Sequence, residues 1–310
     1  MILTLCRMVF VMSLAGEVDA IKVYIAEKIG KKSRHLASSL VSFSAQLGVL
    51  IAACMYHFTL SITEISWLWR INFVVGGVFG LLVFFLRKSL HESSYYIKNK
   101  LKNEDKGGFS LVKILSQNRL KFLLALLLSG GIGASYNFLI IFLGTFVADV
   151  LGTISRQDAA KSNIILIIVY AVSCLISGFL ADRVSVYKQI FVSLAMIMCL
   201  VFTMQLFSLD NMYSFPLHIV IVFFVPIYMI PIQIKLQSMF SADIRVRCVS
   251  LAHSVGSMFL SSTIPFICML LWKHSESFSV VCLYFMGIVL LIIGSVFITM
   301  KADYKNMFEI

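Results

Sequence analysis

The chain has 310 residues, 60% hydrophobic and 13% charged, with a formal net charge of +11. A soluble domain of this size needs about 25% charged residues to cover its surface, so an ordinary soluble enzyme or binding module is excluded. The basic residues fall in short segments between apolar runs, not along one stripe with interleaved aromatics, which argues against a nucleic-acid partner.

About 20 mainly apolar residues are needed to cross the hydrocarbon of a bilayer. Nine stretches meet that length: residues 1–26, 36–58, 67–86, 120–148, 162–181, 189–208, 213–234, 248–271 and 278–300. They are too long, and too little alternating, for the strands of a membrane barrel. The fold class expected is therefore all-α, a polytopic membrane protein in contact with the lipid bilayer.

The first stretch, MILTLCRMVFVMSLAGEVDAIKVYIAE, is apolar from its first residue, as a secretory leader is. Val18-Asp19-Ala20 imitates a cleavage site, yet Arg7 lies inside the apolar run and not before it. It reads as a membrane helix. Ionisable groups in a span are costly and face a partner or a water-filled cavity, and Ser13, Glu17 and Tyr24 share one helical face at i, i+4 and i+11. The plainer alternative sets Glu17, Asp19 and Lys22 near the membrane interface, with Asp19 and Lys22 as an i,i+3 pair.

In the third stretch Gly76 and Gly80 form a small-residue packing site. Residues 87–119 then make the one long polar segment, which divides the spans three and six. In the fourth stretch Tyr136 and Asn137 follow Gly-Gly-Ile-Gly; Tyr170, Ser173 and Ser177 form a stripe on the fifth, and His253, Ser257, Ser261 and Pro265 one on the eighth. Such stripes line a path for solute or hydrogen-bond neighbouring helices. His253 adds a group that can change charge near neutral pH.

Seven scattered cysteines without C-x-x-C spacing give neither a metal site nor a disulfide framework. No phosphate-binding G-x-x-x-x-G-K-[ST] is present. Neither nucleophile-elbow nor triad spacing appears, so no catalysis is expected.

Alternate loops lie on opposite sides. From Lys28 onward, one set (EKIGKKSRH, residues 87–121, DRVSVYK, KLQSMFSADIRVR and the tail KADYKNMFEI) holds twenty Lys and Arg. The other set holds four, Arg70, Arg156, Lys161 and Lys273. Basic loops stay in the cytoplasm, so a cytoplasmic C-terminus is expected.

Several segments resemble the metabolite:proton symporter branch of the major facilitator superfamily, the group of proline/betaine and α-ketoglutarate permeases. Arg7, Ser13, Gly16 and Glu17, then Tyr24-Ile25-Ala26-Glu27, Arg34 and Ser39, keep the frame of its fourth helix and following loop. WLWRINF at 67–73 and LRKSLHES at 86–93 resemble the start and end of its sixth helix. GFLADR at 178–183 is similar to the superfamily loop motif, and MFSADIR at 239–245 to the segment before the eleventh helix.

The resemblance implies nine helices of a twelve-helix fold, with the first three absent from the chain. Residues 1–86 would be the rest of the N-terminal bundle, 87–119 a cytoplasmic linker, 120–300 a six-helix C-terminal bundle and 301–310 a cytoplasmic tail. It further implies alternating access in a bacterial cytoplasmic membrane. The partners are a small polar solute, proline or betaine above all, and a proton; no cofactor is needed, since the proton gradient drives transport. The residues it suggests for transport and coupling are Arg7, Glu17, Tyr24 and Glu27, to which the polar positions Tyr136, Asn137 and His253 are added. For a cytoplasmic gating loop it suggests Arg34, Gly178, Asp182, Arg183 and Arg245, the Asp contacting a neighbouring helix end and the Arg holding one state.

The departures are specific. Phe10 and Val11 replace Gln and Gly, and Ala15 replaces a Gly. Two small positions have become Asp19 and Lys22, His253-Ser254 stands for an aromatic-Asn pair, and Ser185 and Val186 replace the Gly and Arg of the loop motif. Alternative readings are a decayed remnant without transport, or a membrane scaffold or partner subunit joined by separately encoded N-terminal helices.

Overall fold

The computed structural model describes residues 17–28, 33–62, 67–88, 116–206, 214–241 and 244–308, together with Cys6. They form nine helices: α1 (Glu17–Lys28), α2 (Arg34–Ser61), α3 (Trp69–Lys88), α4 (Arg119–Val150), α5 (Arg156–Ala181), α6 (Val186–Leu206), α7 (Ser214–Ser238), α8 (Arg245–Ser275) and α9 (Phe278–Phe308). No strand occurs among the described residues. The eight helices α2–α9 are long and apolar enough to cross a membrane. The start of the first predicted span, and most of the polar segment 87–119, lie outside the described residues.

Helices α4–α9 share one apolar core, in which Phe138 stacks on Phe285 at 4.2 Å between ring centres. Glycine sets how closely α4 approaches its neighbours. A Cβ on Gly130 would lie 2.6 Å from the Gly256 carbonyl oxygen, and one on Gly256 would lie 2.4 Å from that of Leu126. Backbone therefore touches backbone where α4 crosses α8, as small residues permit in membrane helices. Gly131 makes the corresponding room for Ile292 of α9.

Two long helices depart from regular geometry, and proline explains one departure. α8 has a π-helical turn over Ser257–Ser261, closed by Ser262 N–H donating to the Ser257 carbonyl at 2.8 Å. Pro265 has no N–H to offer the Ser261 carbonyl, its i−4 partner in a regular helix. The Asn137 side-chain amide fills that place, donating to the Ser261 carbonyl at 2.8 Å and to its hydroxyl at 2.9 Å. Asn137 opens the π-helical segment Asn137–Phe142 of α4; there Leu143 N–H bonds the Phe138 carbonyl, and the buried His218 ring lies 2.8 Å from the Leu139 carbonyl.

The same logic accounts for Ser177 in the polar stripe on α5. Pro231, inside α7, leaves the Ile227 carbonyl without its helical donor. Ser177 donates to that carbonyl at 3.2 Å and the Gln189 amide at 2.9 Å. Ser173 donates to the Phe223 carbonyl, and Tyr170 points its hydroxyl at Met229 Sδ, 3.0 Å away. Of the two roles open to this stripe in the sequence, it takes the second, interhelical hydrogen bonding.

α3 is different. None of its apolar span is buried, and it meets α2 through Asn72, whose amide donates to Thr59 Oγ1 at 3.1 Å. A Cβ on Gly76, Gly77 or Gly80 would meet nothing within 4 Å. The predicted Gly76–Gly80 packing site thus has no neighbour among the described residues.

Candidate functional site

Helices α1 and α2 lie against α4, α5, α7 and α8 along a seam, and the seam is polar. Its most tightly built contact is at the end that carries the basic loops. Ser33 precedes α2 but makes no side-chain cap, so the first N–H groups of that helix need an acceptor from elsewhere. Asp182, just past α5, supplies it. Its Oδ1 accepts from His35 N–H at 3.1 Å and its Oδ2 from Leu36 N–H at 3.0 Å, while the His35 ring Nδ1 lies 2.8 Å from Oδ1. A carboxylate at a helix N-terminus meets both the unpaired donors and the positive end of the dipole.

Gly178 lets the two helices come this close. A Cβ there would sit 2.3 Å from Ser39 Oγ and 2.9 Å from the His35 carbonyl oxygen. The other predicted gating residues do less. Arg183 is exposed and lays its guanidinium 3.7 Å from the centre of the Phe179 ring. Arg34 has its Nε buried with no hydrogen-bond partner among the described residues, and Arg245 Nε donates to the Phe240 carbonyl at 3.3 Å.

Further into the seam Ser42 Oγ lies 3.4 Å from Gln233 Oε1, and the Tyr136 hydroxyl 3.5 Å from Gln46 Oε1. The Tyr136 ring packs edge-on to Tyr170 with centres 5.3 Å apart. Tyr136 is therefore at the seam, whereas Asn137, its neighbour in sequence, is turned into the helix bundle to serve Ser261.

The third contact joins α1 to α8. Asp19, 9% exposed, places Oδ2 2.9 Å from His253 Nδ1. Beside the pair is a cavity of about 40 Å³ lined by Asp19, Lys22, Ser129, Gln233, Gln237 and His253, among others. The plain i,i+3 pairing expected of Asp19 and Lys22 is not what forms: the carboxylate reaches across the seam, with Lys22 within electrostatic range. Tyr24 is 39% exposed, so the side of α1 that meets α8 carries Asp19 and not Tyr24. Arg7 and the side chains of Glu17 and Glu27 lie outside the described residues.

Sequence reasoning missed Gln46, Gln233 and Gln237. The signal was available: three amides inside apolar helical runs need partners just as the flagged Ser and Tyr do. At the other end of the seam a cavity of about 70 Å³ is lined by Tyr56 of α2, Asp149 and Thr145 of α4, and Arg156 and Asn163 of α5. Arg156 Nε donates to Asp149 Oδ1 at 2.6 Å there.

Comparison with known proteins gives this arrangement a context. The family model described as Major Facilitator Superfamily matches residues 2–264. A Staphylococcus haemolyticus (strain JCSC1435) protein named "Putative proline/betaine transporter" is 25% identical over 280 residues, 86% of this chain and 58% of the relative. A protein of the same name from Staphylococcus aureus (strain MSSA476) is 22% identical over 277 residues, with the same coverage. The citrate-proton symporter of Salmonella typhi is 24% identical over 172 residues, covering 54% of this chain and 39% of that protein. The chain spans little more than half the length of the proline/betaine-named relatives it matches.

Proposed function

The chain belongs to the Major Facilitator Superfamily, and from that membership we propose that it serves proton-coupled symport of a small polar osmolyte of the proline/betaine kind. α1–α2 and α4–α9 would be the two bodies that rock against each other, with the seam between them as the route. One observation carries the reading: Asp182 grips the first turn of α2 at one end of the seam by charge-assisted bonds that come apart as a unit when the helices separate. A contact of this kind suits a joint that must hold in one state and release in the other. The polar side chains of the seam, Ser42, Gln46, Tyr136 and Gln233, are suited to a solute that carries its own hydrogen-bonding groups.

The twenty Lys and Arg in one set of loops support a cytoplasmic C-terminus in a bacterial inner membrane. The Asp182 contact then lies at the cytoplasmic end, and the structure corresponds to a form closed on that side. No cofactor enters the scheme, because the proton gradient supplies the driving force. Arg7, Glu17 and Glu27 keep the handling of solute and proton that the resemblance gives them.

The test is uptake of labelled proline and of labelled betaine by the full chain in liposomes under an inward proton gradient. Accumulation that collapses with a protonophore, and is lost in Glu17→Ala, is expected. Indifference of both solutes to the gradient would overturn the reading.

A further inference from the structure

We infer that the cavity at the end of the seam opposite Asp182 is a first binding site for a zwitterionic solute, held there before it enters the seam; this deepens the symport reading above and rests on it. The cavity, of about 70 Å³, lies between α2, α4 and α5. Asp149 stands at the end of α4 and Arg156 at the start of α5. Gly152 between them has φ +65°, in the left-handed region that glycine adopts freely. The chain turns back there, and the two side chains meet.

The first argument is charge. Arg156 gives the N–H of Nε to Asp149 Oδ1. A guanidinium has further donors on its two terminal nitrogens, and none of them has a partner among the described residues; the same holds for Asp149 Oδ2. The side chains are 71% and 43% exposed, so the pair faces water. An ion pair this open does little for the fold. Its open donors and open acceptor stand side by side, which is the complement of a carboxylate and an ammonium group carried on one small molecule.

The second argument is shape. Gly144, Ala148 and Ala159 line the cavity, and it is the room that these small residues leave; a Cβ on Gly144 would meet nothing within 4 Å. They supply an apolar floor beside a few placed polar groups, the usual make-up of a small-molecule site. Tyr56 of α2 lines the cavity too, within electrostatic range of Arg156, and an aromatic face attracts a cation.

The third argument is position. The walls come from α2 on one side and from α4 and α5 on the other, so a solute seated here touches both of the bodies proposed to rock. Arg156 belongs to the set of loops with few basic residues, the set that the charge asymmetry puts outside. The site therefore meets a solute on arrival.

The experiment uses the purified full chain in lipid nanodiscs, without a gradient, carrying Thr145→Cys. Thr145 lines the cavity, is exposed, and its hydroxyl donates only to carbonyls of its own helix, so the change disturbs no other contact. Maleimide labelling at position 145 is read by peptide mass spectrometry. Proline and betaine are each expected to slow it several-fold, while acetate and choline, which carry one charge each, leave it unchanged. Arg156→Gln, which removes a charge, and Gly144→Leu, which fills the cavity from a position with room, are each expected to abolish the protection. Equal slowing by acetate or choline overturns the zwitterion. Protection that survives both changes and is lost in Gln233→Ala, inside the seam, overturns the site. Absence of protection by either zwitterion overturns it as well, and leaves symport standing where the same chain accumulates them under a gradient. Protection in a chain that accumulates neither solute upholds the site and removes the symport reading.

Discussion

Replacing Asp182 by Asn tests the contact that closes one end of the seam. The carboxylate accepts two backbone N–H groups, one on each oxygen, and its side chain is 12% exposed. The amide keeps one oxygen and turns an NH2 toward the other N–H. A hydrogen bond to a charged group contributes ~1.5–3 kcal/mol, and a charge at a helix N-terminus adds ~0.3–1 kcal/mol. A loss of about 3 kcal/mol raises the population in which α2 has parted from α5 by about a hundredfold. Ser42→Cys reports it, because Ser42 is buried against α7 and becomes open to a maleimide when α2 moves away. Peptide mass spectrometry identifies the labelled position, so the seven native cysteines can stay. The Asp182→Asn background should speed labelling at position 42 by about that factor, while His35→Gln, which removes the ring contact alone, should give roughly fivefold for a net bond of ~1 kcal/mol. Equal effects from both changes, or no change with Asp182→Asn, would refute the claim that the carboxylate holds this helix end.

Gly178→Ala forces a methyl to within 2.3 Å of Ser39 Oγ and 2.9 Å of the His35 carbonyl; it should cost ~1–3 kcal/mol in overpacking, seen as faster labelling at position 42 and eased by Ser39→Gly. Gly130→Ala drives a methyl into the Gly256 carbonyl, and thermal unfolding in detergent should show a clear loss. Gly76→Ala, which meets nothing within 4 Å, should stay within about 0.5 kcal/mol of the parent. Asn137→Ala should cost ~1–3 kcal/mol by stranding the Ser261 carbonyl. In a Pro265→Ala background, where a backbone N–H can return to that carbonyl, the same change should cost less than half as much, and a double-mutant cycle reads the coupling.

The spans were legible because a bilayer imposes a length. α2 to α8 fall within a few residues of the predicted stretches except at the start of α5, six residues early, where Ser155 caps a polar first turn with its hydroxyl accepting from Asp158 N–H at 3.1 Å; α9 differs most, running eight residues past its predicted end to Phe308. The Asp182 contact was legible in outline, since the resemblance carries the idea of an aspartate meeting a helix end. Its partners were not, because neither His35 nor the N–H of Leu36 announces itself in sequence. Asp19 escaped for a related reason. Its i,i+3 neighbour Lys22 offered a local partner, and nothing in a linear reading sets the distance to His253, 234 positions away.

Proline supplies a rule that the sequence already contained. A proline inside a helix strands the carbonyl four residues back, and in a membrane a side chain or water can meet it, as happens at two of the three prolines inside α7 and α8. Pro231 strands Ile227 and Pro265 strands Ser261; Ser177 with Gln189, and Asn137, are the donors that answer. These residues look like pathway residues in one dimension and are occupied in three. Of the polar residues that no stranded proline carbonyl explains, Tyr170 and Ser173 bond to α7, and Ser42, Gln46, Tyr136, Gln233, Gln237 and the Asp19–His253 pair lie along the seam. Tyr136 and Asn137 make the division sharpest, since adjacent positions on one helix fall on opposite sides of it. A polar residue in a membrane helix is therefore best weighed by asking first whether a proline requires it.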